Sequence, residues 1–205
     1  MSTPRATTPD PGSPTIVIND ASGWPKVPPG FSYPQHYGFA LEIPSVGRVM
    51  VRPIRSQDAP LFNDLFNSLT PQSIYLRFFS ILRELPPQML QRLTQVDYDQ
   101  EIVLVALQEA SDQEIMLGDA RIIQISDISA EFSVVVRDEL HGKGIGACLL
   151  QHCLAIARQR GFKSICGFVL PENKQMLRLG KRLGFDIKHV DGGREFELTK
   201  RFNGA

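Results

Sequence analysis

The sequence predicts a mixed α/β (α+β) domain built on a central, mostly antiparallel sheet of about seven strands, with four or so helices. Two observations carry most of that expectation. Residues 131–160 run from a β-branched strand through a glycine-rich loop into an amphipathic helix, and another strand follows at 164–170. A strand–helix–strand unit of this kind pairs its strands in parallel with a right-handed crossover. The stretches 102–137 and 185–199 read instead as strands joined by short polar turns, the pattern of antiparallel pairing.

Each element has its own signal. Residues 48–54 alternate like a strand, and 57–69 follow as a helix with Leu61, Phe62, Leu65, Phe66 and Leu69 on one face. Pro71 suits the start of a second helical piece reaching residue 81. Pro86 and Pro87 open a short third piece with Met89, Leu90 and Leu93 inward. Residues 102–107 and 115–125 are strands about a polar turn at Ser111-Asp112, and 131–137 completes the meander. The helix expected at 147–160 presents Leu149, Leu150, Cys153, Leu154 and Ala157 on one side, and Gly161 ends it. Strand 164–170 leads to helix 173–183, with Asn173 as N-cap. Strands 185–190 and 194–199 turn at Asp191-Gly-Gly193.

Composition excludes several classes. In 205 residues, 22 basic side chains balance 22 acidic ones, so no nucleic-acid partner is expected. No run approaches 18 apolar residues, and the N-terminus lacks the apolar core of a secretory signal; no membrane association and a cytoplasmic location are expected. Three cysteines, Cys148, Cys153 and Cys166, fall in apolar patterns and read as buried free thiols. His36 and His189 have no partners at metal-ligand spacing, so no metal is expected, and His152 reads as a surface residue. Proline and glycine crowd residues 1–46, which read as an arm: disordered over 1–13, and over 14–46 apolar enough to pack on the domain at 47–205.

The loop His141-Gly-Lys-Gly-Ile-Gly146 holds the chemistry. Unpaired amides at a helix N-terminus, with glycines that let a ligand reach the backbone, favour a phosphate or pyrophosphate. A Walker loop requires GxxxxGK[ST], which Gly142-Lys143-Gly144 does not supply. A dinucleotide fingerprint forced through Gly142, Gly144 and Ala147 lacks the acidic residue about 20 positions on. An acyl-CoA loop of the form Q/R-x-x-G-x-G/A fits except at His141, and a glycine turn without a ligand stays open on the hexapeptide alone.

The order of elements and this loop together resemble the GNAT acyltransferases over about residues 48–201. Asn173…Met176-Leu-Arg-Leu-Gly-Lys-Arg-Leu-Gly-Phe185 is similar to the family helix that flanks the CoA pantetheine arm. Val51-Arg-Pro-Ile-Arg-x-x-Asp58, Ser73-Ile-Tyr-Leu-Arg-Phe-Phe79 and Ala130-Glu-Phe-Ser-Val-Val-Val-Arg137 resemble signatures of the GNAT domains of bacterial Pat-type protein lysine acetyltransferases. The resemblance implies the GNAT fold, with splayed strands at 131–137 and 164–170 and acetyl-CoA entering between them. It implies that Val134, Val135 and Val136 bind pantetheine through their backbone. His141, Gly142, Lys143, Gly144, Ile145 and Gly146 would meet the pyrophosphate, and Asn173 and Met176 the pantetheine arm. Glu131 falls at the position of the general base. The acceptor would be a protein lysine, typically of an acyl-CoA synthetase. Two departures stand out: His141 replaces the usual Gln or Arg, and Gly180 stands where many small-molecule relatives carry an acidic tyrosine, which favours the protein-acetylating branch.

The chemistry agrees with those roles. A lysine amine, with a reference pKa of about 10.4, must lose a proton before it attacks a thioester, and a partly buried carboxylate can accept that proton. Backbone amides on the splayed strand can polarise the thioester carbonyl. Two other readings remain: a small amine or amino-acid-like acceptor, and an acyl-CoA-binding sensor without catalysis. Tyr75 and Arg77 are candidates for the acceptor side.

Overall fold

The computed structural model describes residues 15–17, 33–110 and 113–202. One nine-stranded sheet forms the frame. Its strands are β1 (Thr15–Val17), β2 (Phe39–Ile43), β3 (Gly47–Pro53), β4 (Glu101–Ala110), β5 (Gln113–Ser126), β6 (Ser129–Val136), β7 (Ser164–Val169), β8 (Asp186–Val190) and β9 (Glu195–Arg201). In space they run β1-β2-β3-β4-β5-β6-β7-β9-β8. All neighbours are antiparallel except β6 and β7. The count exceeds the seven expected because residues assigned to the arm contribute β1 and β2. Phe39, Leu41 and Ile43 are almost fully buried, so alternation continues through that stretch despite the prolines before it. Residues 1–13, expected to be disordered, and the turn at 111–112 lie outside the described residues.

Among the described residues, five helices cover the two faces, against four or so expected. α1 (Ala59–Asn67), α2 (Pro71–Phe78) and α3 (Pro87–Thr94) lie on one side, while α4 (Ile145–Gln159) and α5 (Lys174–Arg182) belong to the other. α1 starts later than the periodicity suggested, after a 3-10 turn at Ser56–Asp58. There the buried Asp58 carboxylate takes both Arg52 Nη atoms, at 2.6 and 2.8 Å, and the Arg55 N–H at 2.7 Å. The Arg52…Asp58 motif therefore holds the fold together. α2 ends at Phe78, three residues early, because Phe79 turns left-handed (φ 54°) and leaves Ile81 exposed. α4 starts at Ile145, two residues earlier than expected, since Gly144 (φ 96°) turns the chain into the helix as its N-cap.

Two apolar cores result. One joins α4 and α5 to β2, β6, β7 and β9, and the other packs α1, α2 and α3 on β4 and β5. Cys148 and Cys153 are buried in the first, and burial pushes the Cys148 thiol up to about 11. Cys166 is only partly buried, unlike its expected place, because β7 turns it toward the face that carries Glu131.

Candidate active site

β6 and β7 pair over only three positions, Ser129 with Ser164, Ala130 with Ile165 and Glu131 with Cys166. Both strands continue, β6 for five residues and β7 for three, but they diverge. At the next position in register, the Phe132 ring lies across Gly167: a Cβ on Gly167 would come within 2.7 Å of it. That ring packs on Phe185 at 5.1 Å. Glycine at 167 is thus required for the aromatic side chain that occupies the point of divergence.

The gap exposes backbone on one edge. The Arg137 N–H donates to Leu117 O on the β5 side at 2.9 Å. By strand alternation, Val135 and Ser133 turn their backbone groups the same way, while Val134 and Val136 turn theirs into the gap. Val135 therefore departs from the expected trio, because its amide and carbonyl face the β5 edge opposite Asp119. The glycine loop closes the end of the gap. Gly142 (φ 77°) and Gly144 (φ 96°) take left-handed conformations, which point successive amides outward at the start of α4. Gly146 lies in the first helical turn, with its missing Cβ 3.4 Å from Val136 Cγ2. Lys143 and Ile145 complete the loop; the Ile145 side chain is buried as a core anchor. His141 turns back on the strand, its Nε2 2.9 Å from Val136 O and its Nδ1 3.7 Å from Asp138.

Side chains divide sharply across β6. Ala130, Phe132, Val134 and Val136 pack toward the core of α4, and Glu131 and Ser133 face the other way. A pocket opens there, walled by Arg77, Phe78 and Phe79 of α2 and its end, Arg92 and Leu93 of α3, and Asn173 and Met176 near α5. Asn173 caps α5, its Oδ1 accepting the Met176 N–H at 3.0 Å. Arg121 on β5 donates to Glu101 at 2.7 Å and to Leu93 O at 3.0 Å, and lies 3.4 Å from Asp119. Arg77 reaches to 4.0 Å from the same Asp119 carboxylate. Burial pushes the Glu131 carboxyl above its usual pKa, and the Arg77 charge opposes only part of that rise. A carboxylate in that state is a better base than a solvated one.

The structure thus brings Glu131, Val134, Asn173 and Met176 to one pocket and sets Gly142, Gly144 and Gly146 at the helix that ends the gap. Tyr75 is exposed and outside the lining, whereas Arg77 belongs to it. Glu101, Asp119 and Arg121 were not singled out from the sequence. For Asp119 and Arg121 the signal was there: they are charged positions among the apolar residues Leu117, Ala120 and Ile122 of one strand. His152 was read as a surface residue, but it is half-buried because its Nε2 bonds Tyr37 O at 3.0 Å and its ring packs on Phe39. Gly180, the site of the absent tyrosine, packs against the core: a Cβ there would meet Leu198 at 2.5 Å. Among the described residues, no group of three or more His, Cys, Asp or Glu could hold a metal ion.

Comparison with known proteins agrees with this geometry. An acetyltransferase of Pseudomonas aeruginosa is 30% identical over 144 residues, 67% of this chain and 74% of its own length. A second P. aeruginosa protein, an L-methionine sulfoximine/L-methionine sulfone acetyltransferase, is 39% identical over 59 residues, 29% of this chain and 34% of its length. Among solved structures, the GNAT domain of S. lividans Pat superposes with a TM-score of 0.76 at 25% identity, covering 83% of this chain and all of that one. A Salmonella typhimurium protein solved with its cofactor acetyl-CoA shares the fold, with a TM-score of 0.62 at 19% identity, covering 77% and 95% of the two chains. The acetyltransferase (GNAT) domain model matches residues 48–186, and the chain belongs to this family of acyltransferases.

Proposed function

We propose that the protein transfers an acetyl group from acetyl-CoA to a protein lysine, by direct attack in a ternary complex with Glu131 as general base. The observation that carries this reading is the position of Glu131, at the last paired residue of β6 in a pocket shared with the open gap. Arg77, Arg92 and Arg121 are matched by Glu101, Asp119 and an ionised Glu131, so the cluster carries no net charge and only the Glu131 carboxylate itself is left to receive the proton of an ammonium. Glu131, directly or through water, takes the ammonium proton; the amine then attacks the acetyl carbonyl, a C–N bond forms, the C–S bond breaks, and the second proton now on the cationic nitrogen passes through water to the departing thiolate. The backbone of Val134, with the glycine loop amides, would bind the donor, the loop at its pyrophosphate.

A protein acceptor is supported by the likeness to the Pat domain and by the pocket mouth. Phe79, Ile123 and Phe168 are exposed there, and no described residue of the 33–46 segment lines it. An acyl-CoA synthetase in the cytoplasm is the acceptor proposed, with residues 1–46 as an arm on a catalytic domain at 47–205. A small amino-acid-like acceptor is the second reading, favoured by the methionine sulfoximine acetyltransferase likeness. Incubation with acetyl-CoA and a panel of acyl-CoA synthetases, read by mass spectrometry of acetyl-lysine, tests the first. A methionine sulfoximine and free-amine panel in the same assay tests the second. Acetylation confined to the small amines would exchange the two.

A further inference from the structure

Asp138 belongs to the segment between β6 and the glycine loop, yet its hydrogen bonds go to α2. Its Oδ2 accepts the Thr70 N–H at 2.6 Å, and its Oδ1 accepts the Ser73 hydroxyl. Thr70 is the N-cap of α2, with Oγ1 accepting the Ser73 N–H at 3.2 Å. A carboxylate from the loop therefore completes the cap of a helix more than 60 residues earlier. Burial alone would raise its pKa, but the bonds from Ser73 and Thr70 outweigh that and hold it below the ordinary value.

The anchor matters because α2 has few others. It is eight residues long, and Ile74 is its one buried residue. Helices that short are marginal without tertiary support. Its far end supplies Arg77 and Phe78 to the pocket wall, so whatever steadies the first turn also steadies the wall.

We infer that Asp138 is a positioning residue that couples donor binding at the glycine loop to order in the acceptor wall. The inference rests on the reading of residues 142–146 as the pyrophosphate site. An anion seated there repels the nearby Asp138 carboxylate and drives it toward the positive N-terminus of α2, strengthening its charge-assisted bonds. Ordering of the loop also fixes the carboxylate in place, so α2 gains order without touching the donor.

Hydrogen exchange read by mass spectrometry, with and without saturating coenzyme A, tests this with no acceptor needed. In the wild type, exchange should slow at residues 142–148 and also over 72–79, the latter by about fivefold, the low end of measured couplings between sites. In Asp138→Asn, and in Ser73→Ala, which breaks the bridge from the helix side, slowing at 142–148 should persist and the coenzyme-dependent slowing over 72–79 should vanish. Wild-type protection at the loop without any change in α2 would overturn the coupling and leave the donor site standing. A variant whose α2 exchanges faster throughout but still responds to coenzyme A would reduce Asp138 to a structural cap, which also overturns it. No protection at the loop in the wild type would overturn the donor site and the coupling together.

Discussion

On the α4 side of β6, Ala130, Phe132 and Val136 are buried in an apolar core, and beyond the strand the chain turns left-handed at Gly142 and Gly144 into α4. On the opposite side, Glu131 and Ser133 share a pocket with Arg77, Arg121 and Glu101, drawn from α2, β5 and β4. The proposed donor side is mostly local: one strand, one loop and one helix, contiguous over 131–159, supply most of it, and Asn173 and Met176 add the start of α5. The acceptor side is assembled from distant chain segments through ion pairs that bridge β4, β5 and α2. Backbone amides can serve any CoA, whereas side chains at that pocket must discriminate among acceptors. A surface built for a shared donor can stay constant while the one facing it varies.

The sharpest way to break the comparison is to remove the one residue that belongs to both halves. Glu131→Gln keeps the shape and pairing of β6 but cannot take a proton. kcat should fall by roughly 10²–10⁴ while acetyl-CoA still binds with wild-type affinity by calorimetry. The deficit should shrink as pH rises and the amine deprotonates in solution. Full turnover in this variant would detach the acceptor-side chemistry from β6 and direct attention to Glu139. Acetyl-CoA binding without acetylation of any acceptor by the wild type would instead favour a sensor.

A smaller effect isolates the donor half. Gly146 has room for a Cβ, with Val136 Cγ2 at 3.4 Å and Val134 Cγ2 at 3.9 Å, and it has no positive φ to strain. Gly146→Val should fold, yet it fills the first helical turn where the proposed donor's pyrophosphate would approach. Acetyl-CoA affinity should drop about tenfold, about 1.4 kcal/mol. Unchanged affinity would mean that the anion does not approach this turn.

The contrast between the halves also explains what was legible in the sequence. The elements of the proposed donor half are written in order along the chain, as alternation in 131–136, glycines at 142, 144 and 146, and the Asn173 cap, so pattern and spacing reached them as strand, loop and helix. The acceptor half depends on register. Glu101, Ile123 and Glu131 lie in one row across three strands, a relation that no local window contains. Asp119 and Arg121 lie within the strand expected at 115–125, and only the fold brings Arg77 to Asp119. The strand count came out two short of the nine observed for a similar reason. Phe39–Ile43 alternates correctly, but the prolines before it made the whole segment read as an arm.

Arg77 offers a way to sharpen the electrostatic side. Its charge lowers the Glu131 pKa against the rise due to burial, so removing the charge should let that pKa climb further. The acid limb of kcat/KM, set by deprotonation of the base, should already lie above the ordinary carboxylate range. In Arg77→Met, which keeps much of the apolar stem, that limb should move to still higher pH. A limb that stays put, or moves down, would show that Glu131 does not sense this cluster.

The smallest effect lies outside both halves, where β2 meets α4. His152 bonds Tyr37 O and packs its ring on Phe39, so it fastens the segment before β2 to the donor-side helix. Losing one hydrogen bond and a ring contact in His152→Ala should cost about 1–2 kcal/mol of stability and leave acetyl-CoA affinity unchanged. Burial lowers the imidazole pKa in the folded chain, with the bond to the Tyr37 carbonyl opposing that in part. As pH falls, the unfolded chain therefore takes up the proton first. The His152 contribution is whole above the unfolded value of about 6.5 and is lost as pH falls through the folded value. Urea denaturation should show a wide gap between wild type and variant at about pH 8 and a narrower one at about pH 5.5. A gap that widens on acidification would mean that the imidazole is held as a cation, with an acidic partner on the segment before β2.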